Sequence, residues 1–278
     1  VRTTPTPLNA DKLRDRLVGN GPYSALDVVP VTGSTNTDLV AEAAGGAADR
    51  TVLIAEEQQA GRGRMQRSWV SPPCYGLHMS ILLRPVVVAQ SALSWLPLVA
   101  GVALAETVRE TTEVAVGLKW PNDLLLGESR HKAAGILAEG VSTLDGMAIV
   151  LGIGVNVHHE AGDLPTGAGG LPATSLAAEG AQVDREEFAA RILESFADLE
   201  RSWREYGGIP GADGLLERYQ RLCATLGQQV RVEFGGGEPL SGTATGIDAS
   251  GRLNVRTATG RSTPVSAGDV VHVRPASE

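Results

Sequence analysis

The chain has 278 residues, enough for one large domain with a small one beside it, and 42% hydrophobic against 20% charged residues is ordinary for a packed core. With 24 basic against 32 acidic residues the net charge is −8, which argues against a broad basic face for nucleic acid; no apolar stretch approaches the ~18 residues of a membrane span, and the N-terminus lacks a signal pattern. Two cysteines, Cys74 and Cys223, are too few for a disulfide framework and read as reduced thiols, so a cytoplasmic protein is expected.

After a loose Thr/Pro-rich tail, Asn9 caps a short helix carrying Leu13 and Leu17. Residues 26–31 read as a strand, and Leu39, Val40 and Ala43 place a helix over 35–45, ended by Gly45-Gly46. Strands are expected at 51–55 and 78–83, the second stopped by Pro85. Leu96, Val99, Ala100, Ala103, Leu104 and Val108 recur at three- and four-residue intervals and make 91–109 the clearest helix. Strands at 116–120, 124–126, 134–138 and 148–157 lead into a Gly/Pro-rich loop over 161–172. Phe188, Ile192, Phe196, Leu199, Trp203 and Tyr206 mark a second long helix, and a shorter one spans 214–226. Beyond Gly227 the texture changes: strands at 230–234, 241–248, 253–257, 262–265 and 270–273 are separated by Gly-bearing turns. Five short strands in under 50 residues predict a small closed or nearly closed barrel.

The loop GRGRMQRSW, residues 61–69, sets Arg62, Arg64 and Arg67 within six residues without an acid among them. Guanidinium groups bind carboxylates and phosphates through paired, charge-assisted hydrogen bonds, and glycine lets the backbone approach a ligand. Such a loop suits a partner with several negative charges, and its like charges give it little reason to hold one conformation without one. KWPND at 119–123 and KAAGIL at 132–137 each add a lysine at the end of an apolar run. No Walker or dinucleotide fingerprint is present, and no Ser/His or Cys/His pair is evident.

In this order, GRGRxxRxW, KWPND and KxxGIL resemble the catalytic domain of biotin protein ligases, and Gly33-Ser34-Thr35-Asn36, Gly152-Ile153-Gly154-Val155-Asn156 and Ala173-Thr174-Ser175-Leu176 are similar to the same family. The resemblance implies an α+β fold: a catalytic domain over 1–226, with a mixed sheet and flanking helices, then an SH3-like β-barrel over 227–278. It also implies adenylation of biotin by ATP with Mg2+, then transfer of biotin to a lysine of the carrier domain of a biotin-dependent carboxylase. Such chemistry needs no protein nucleophile. It needs cations between two anionic reactants and over the departing pyrophosphate.

Under that resemblance Lys132 stands between the substrate carboxylate and the α-phosphate, Arg62 and Arg64 contact carboxylate and phosphates, and Arg67, Lys119 and Asn122 belong to the nucleotide side. Asp123 is either a Mg2+ ligand or the group that orients the acceptor amine. Ser34, Thr35 and Gln58 suit the ureido ring; for Ser34 and Thr35 the competing reading is helix capping, since Asp38 follows Thr35 by three residues. Gly61 and Gly135 join the biotin side, Trp69 covers the ligand, and Asn156 lies at the adenine. About 27 residues precede the first catalytic strand, too few for the winged helix-turn-helix of bifunctional members, so a monofunctional ligase is expected. Lipoate–protein ligases share the adenylation logic but lack these signatures, and a biotin sensor that keeps its adenylate is the reading from another class. His78 and His131 are expected to be packing or surface residues, and His158-His159, on opposite faces of a strand, not a metal pair.

Overall fold

The computed structural model describes residues 5–164, 172–234, 237–266 and 268–273. Seven strands form one mixed sheet in the order β1-β2-β3-β7-β6-β5-β4. They are β1 (Ala25–Thr32), β2 (Thr51–Gln58), β3 (Gly76–Leu83), β4 (Val116–Lys119), β5 (Asp123–Leu126), β6 (His131–Thr143) and β7 (Gly146–Asn156). Only β1 and β2 pair in parallel, and the helix α2 (Thr35–Ala44) is their crossover.

Period-two alternation decides what each face carries. On β3, Leu77, Met79, Ile81 and Leu83 enter the main core beneath α3 (Leu96–Thr111) and α4 (Arg185–Glu205), which pack on each other, with α1 (Ala10–Leu17) against β1 and α4. The alternate residue Leu82 joins Leu53, Ala148 and Val150 under Leu39 and Ala43 of α2. A helix of ten residues cannot cover this second face, and the cavity described below lies beyond its N-terminus.

After α5 (Leu215–Leu222), strands β8 (Gln229–Glu233), β9 (Leu240–Ile247), β10 (Leu253–Arg256), β11 (Ser262–Val265) and β12 (Asp269–His272) form an antiparallel sheet ordered β11-β10-β9-β8-β12. Among the described residues β11 and β12 share no ladder, so closure is incomplete. The two parts are sewn together by Trp95 Nε1 on Ala249 O (2.8 Å) and Trp120 Nε1 on Gly251 O (2.9 Å).

Four expectations change. The helix expected at 91–109 begins as a 3-10 segment, Gln90–Trp95, and becomes α-helical at Leu96, with Pro97 in the first turn where its missing N–H costs nothing. Together, Gln90–Thr111 is long and apolar enough by composition to cross a membrane, contrary to the reading of the sequence, but most of it is buried in the core. The helix expected to reach 226 stops at Leu222, because extended Cys223 bridges to Leu118. β6 and β7 also run further than 134–138 and 148–157, as a hairpin whose outer half alternates polar and exposed positions and so carries no continuous apolar run.

Glu200 on α4 is fully buried between Arg50 (2.6 Å) and Arg204, and Arg204 also holds Asp49 at 2.7 Å. Removing one partner from a buried ion pair leaves uncompensated charge. Glu200→Ala is expected to lower unfolding stability by about 3 kcal/mol, read from urea midpoints.

Candidate active site

The cavity is floored by glycines of neighbouring strands. A Cβ on Gly152 would come 2.2 Å from Asn36 Oδ1, and one on Gly154 would come 2.8 Å from the Trp69 indole. Any larger residue there would push out the groups that line the site. Gly135, opposite Gly154 on β6, also underlies Trp69. At the α2 N-terminus, Thr35 N and Oγ1 both donate to Gln58 Oε1 (2.9 and 3.1 Å), which leaves the Gln58 NH2 end without a protein partner among the described residues. Ser80 Oγ is 2.7 Å from Thr35 Oγ1 and 2.6 Å from Asn36 Oδ1. Ser34 is the N-cap yet its side chain makes no capping bond, and Asp38 is engaged by Thr32, so the capping box does not form. These are neutral donors and acceptors on a buried wall.

The arginine loop closes over this floor. Gly63 N donates to Arg67 O (2.6 Å), Trp69 N donates to Gly61 O (2.8 Å), and a 3-10 turn spans Arg64–Gln66. The expectation that like charges leave it without a preferred conformation meets a partner for each arginine. Arg62 bonds Thr37 Oγ1 (3.0 Å) and Glu139 (3.1 Å), Arg64 bonds Asn122 Oδ1 (3.2 Å) and Gly268 O (3.3 Å), and Arg67 pairs with Asp269. Burial lowers the Arg64 pKa from its ordinary value, whereas the hydrogen bond to Asp269 raises that of Arg67. The cavity volume is about 120 Å³ with Trp69 against the floor, below the roughly 300–1,000 Å³ of usual ligand pockets.

At the other end, Lys132 Nζ lies 2.6 Å from Asp123 Oδ1 and 5.9 Å from the Trp69 ring. Lys119 is 5% exposed, 3.9 Å from Asp123, and burial pulls its pKa down. It is not among the residues that line the cavity, and it sits on the edge strand β4 opposite Asp123. Gly61 is also outside the lining, and a Cβ there would come 2.3 Å from Trp69 O and 3.0 Å from Gln58 Nε2. Asn156 lines the cavity and donates to Thr174 O (2.9 Å). For magnesium the residues fit poorly. Asp123 is flanked by two ammonium groups, and no cluster of three His, Cys, Asp or Glu exists among the described residues.

Reading the sequence missed Asn36, His78 and Asp269 as lining residues. Asn36 stands beside two named residues, but Asp269 reaches the site from the second sheet and leaves no local trace. His78, expected to be packing or surface, is 1% exposed and on the wall. His159, also 1% exposed, contacts Ser71 Oγ at 2.9 Å, a Ser/His pair that the spacing of 88 residues concealed.

His78, His159 and the half-buried His272 all have pKa values lowered to about 4, chiefly by burial. In the unfolded chain they take protons near pH 6.5, so stability is complete above that value and is lost as pH falls towards 4. Denaturant midpoints across this window are expected to fall, each of these histidines adding up to one proton to the slope and His158, whose pKa burial also lowers, adding to it.

Residues 28–156 match the biotin/lipoate A/B protein ligase family, and residues 225–273 match the biotin protein ligase C-terminal domain. The chain is 41% identical over 273 residues to the biotin–[acetyl-CoA-carboxylase] ligase of Mycobacterium tuberculosis, covering 96% of this chain and 97% of the relative. The biotin protein ligase of Aquifex aeolicus in complex with biotin and ATP superposes with a TM-score of 0.74 at 26% identity, covering 91% of this chain and all (100%) of that one. The Leishmania major biotin protein ligase in complex with biotinyl-5-AMP gives 0.56 at 25% identity, covering 88% and 99%.

Proposed function

This chain belongs to the biotin protein ligase family, and from that membership we propose how its residues divide the work. The enzyme activates biotin as biotinyl-AMP and transfers the biotin to a lysine of a carboxylase carrier domain. One observation carries the assignment of roles: a single cavity is lined by the cations Arg64, Arg67 and Lys132 towards Asp123 and Asp269 and by the neutral Ser34, Thr35 and Gln58 at its buried end, with Arg62 held beside Thr37 and Glu139. Biotin matches that polarity, with a urea ring at one end and a carboxylate at the other.

Ser34, Thr35 and Gln58 hold the ureido group, and the glycine floor with Trp69 encloses the ring. Lys132, aligned by Asp123, neutralises the carboxylate as one of its oxygens attacks the α-phosphorus and pyrophosphate departs. Arg64 spans carboxylate and α-phosphate, Arg62 takes part at the cavity mouth, and Arg67 exchanges Asp269 for the triphosphate. Asn156 and Asn122 face the nucleotide. In the second step the acceptor amine attacks the anhydride carbonyl and AMP leaves. Of the two roles open for Asp123, the flanking lysines favour orienting amines over holding magnesium, which would arrive with the phosphates of ATP. The net charge of −8 supports a protein rather than a nucleic-acid partner, and two buried free cysteines fit a reducing, cytoplasmic setting.

The test is labelling of an isolated carrier domain with ATP, Mg2+ and biotin, read by avidin blot. Labelling with biotin and not lipoate is expected. Accumulated biotinyl-AMP beside an unlabelled carrier would make the protein a sensor instead.

A further inference from the structure

One polar side chain in the cavity wall has no use in the scheme above. His78 is 1% exposed, lines the cavity, and neither ring nitrogen has a hydrogen-bond partner among the described residues. Leaving such a group unpaired in a low-dielectric interior is costly, so a buried imidazole with two idle nitrogens calls for a partner. Its position says which end of a ligand it meets. Across the sheet, Asp123 pairs with Gly135, Gly135 with Gly154, and Gly154 with His78. At about 4.8 Å per strand, this row sets the backbone of His78 about 14 Å from that of Asp123, with only glycines between, and Lys132 Nζ lies over Gly135. Along β3, His78 is two residues from Ser80, whose hydroxyl contacts Thr35 and Asn36, so both share one face.

We infer that His78 is a specificity-determining residue that hydrogen-bonds the polar edge of the neutral ring of biotin at the buried end of the cavity. This rests on the biotin ligase reading above. A neutral imidazole offers one donor and one acceptor, which suits a ring bearing N–H and C=O groups. Burial keeps His78 uncharged through the physiological range, and phosphates belong with the cations at the far end of the row. The ring nitrogen that donates is set by the ligand rather than by a protein neighbour.

Steady-state kinetics of carrier labelling test this on the full-length enzyme. His78→Phe keeps a planar ring and removes both nitrogens. Its KM for biotin is expected to rise at least about tenfold, with the KM for ATP, the maximal rate and the thermal midpoint close to those of the parent. His78→Gln retains one donor and one acceptor and is expected to recover most of the loss. An unchanged KM for biotin, an equal rise in the KM for ATP, or a Gln variant no better than Phe would overturn the assignment. The parent enzyme is run in the same assay, so its failure to use biotin would count against the ligase reading and not against His78 alone.

Discussion

Lys132→Ala is expected to lower biotin-dependent pyrophosphate exchange about 10²–10³-fold while leaving the fold intact. The ammonium is held 2.6 Å from Asp123 at the first residues of β6, where the strand pairs with β5 and cannot drift. Joining a carboxylate to a phosphate brings two anions into a site from which water is excluded, and a cation already in place costs no reorganisation when charge shifts. Truncation removes that cation and leaves Lys119, at 3.9 Å, as the ammonium beside Asp123. The carboxylate of Asp123 then adds to the repulsion that the substrates feel. Exchange at the parental rate, with normal thermal unfolding, would remove Lys132 from the mechanism.

Arg64→Gly is expected to separate making the adenylate from keeping it. Arg64 ties the arginine loop to Asn122 of the turn between β4 and β5 and to the backbone of Gly268 in the second sheet. It is also a charged part of the cavity wall, held there although burial works against its charge. Glycine removes both tethers, frees the backbone beside Gly63 and opens the wall that retains the mixed anhydride. Biotinyl-AMP should still form, more slowly, but escape and acylate exposed lysines of unrelated proteins. The measurement is the ratio of biotin on a bystander protein to biotin on the carrier domain. A ratio equal to the parent's, with adenylate retained, would show that Arg64 does not hold the intermediate.

The arginine loop and the glycine floor show how far reading along the chain goes. Arg62, Arg64 and Arg67 declare themselves because their charges are contiguous and isolated in an acidic protein. Their neighbours do not: Glu139 lies 77 residues from Arg62 and Asp269 lies 202 from Arg67. Lys119 and Lys132 look alike in sequence, each a lysine at the end of an apolar run. Strand order separates them, setting one on the cavity wall and the other on an edge strand behind Asp123. In sequence His78 reads as a packing or surface residue at the start of an apolar strand. Only alternation along β3, combined with the short span of α2, reveals that its face opens onto the cavity.

By itself the sequence determined the elements of this protein, from the spacing of its apolar residues, and the anionic character of its ligand, from a local density of arginines, lysines and glycines; the kind of chemistry came from the resemblance that its ordered motifs carry. The tertiary structure decided which of those groups meet. It set Asp123 between two lysines, brought Asp269 from the second sheet onto Arg67, and aligned Asp123, Gly135, Gly154 and His78 in one row. Local patterns encode turns, faces and charge because these depend on residues within a few positions of one another. Cross-sheet neighbours depend on strand order and register, which no short window of the chain contains.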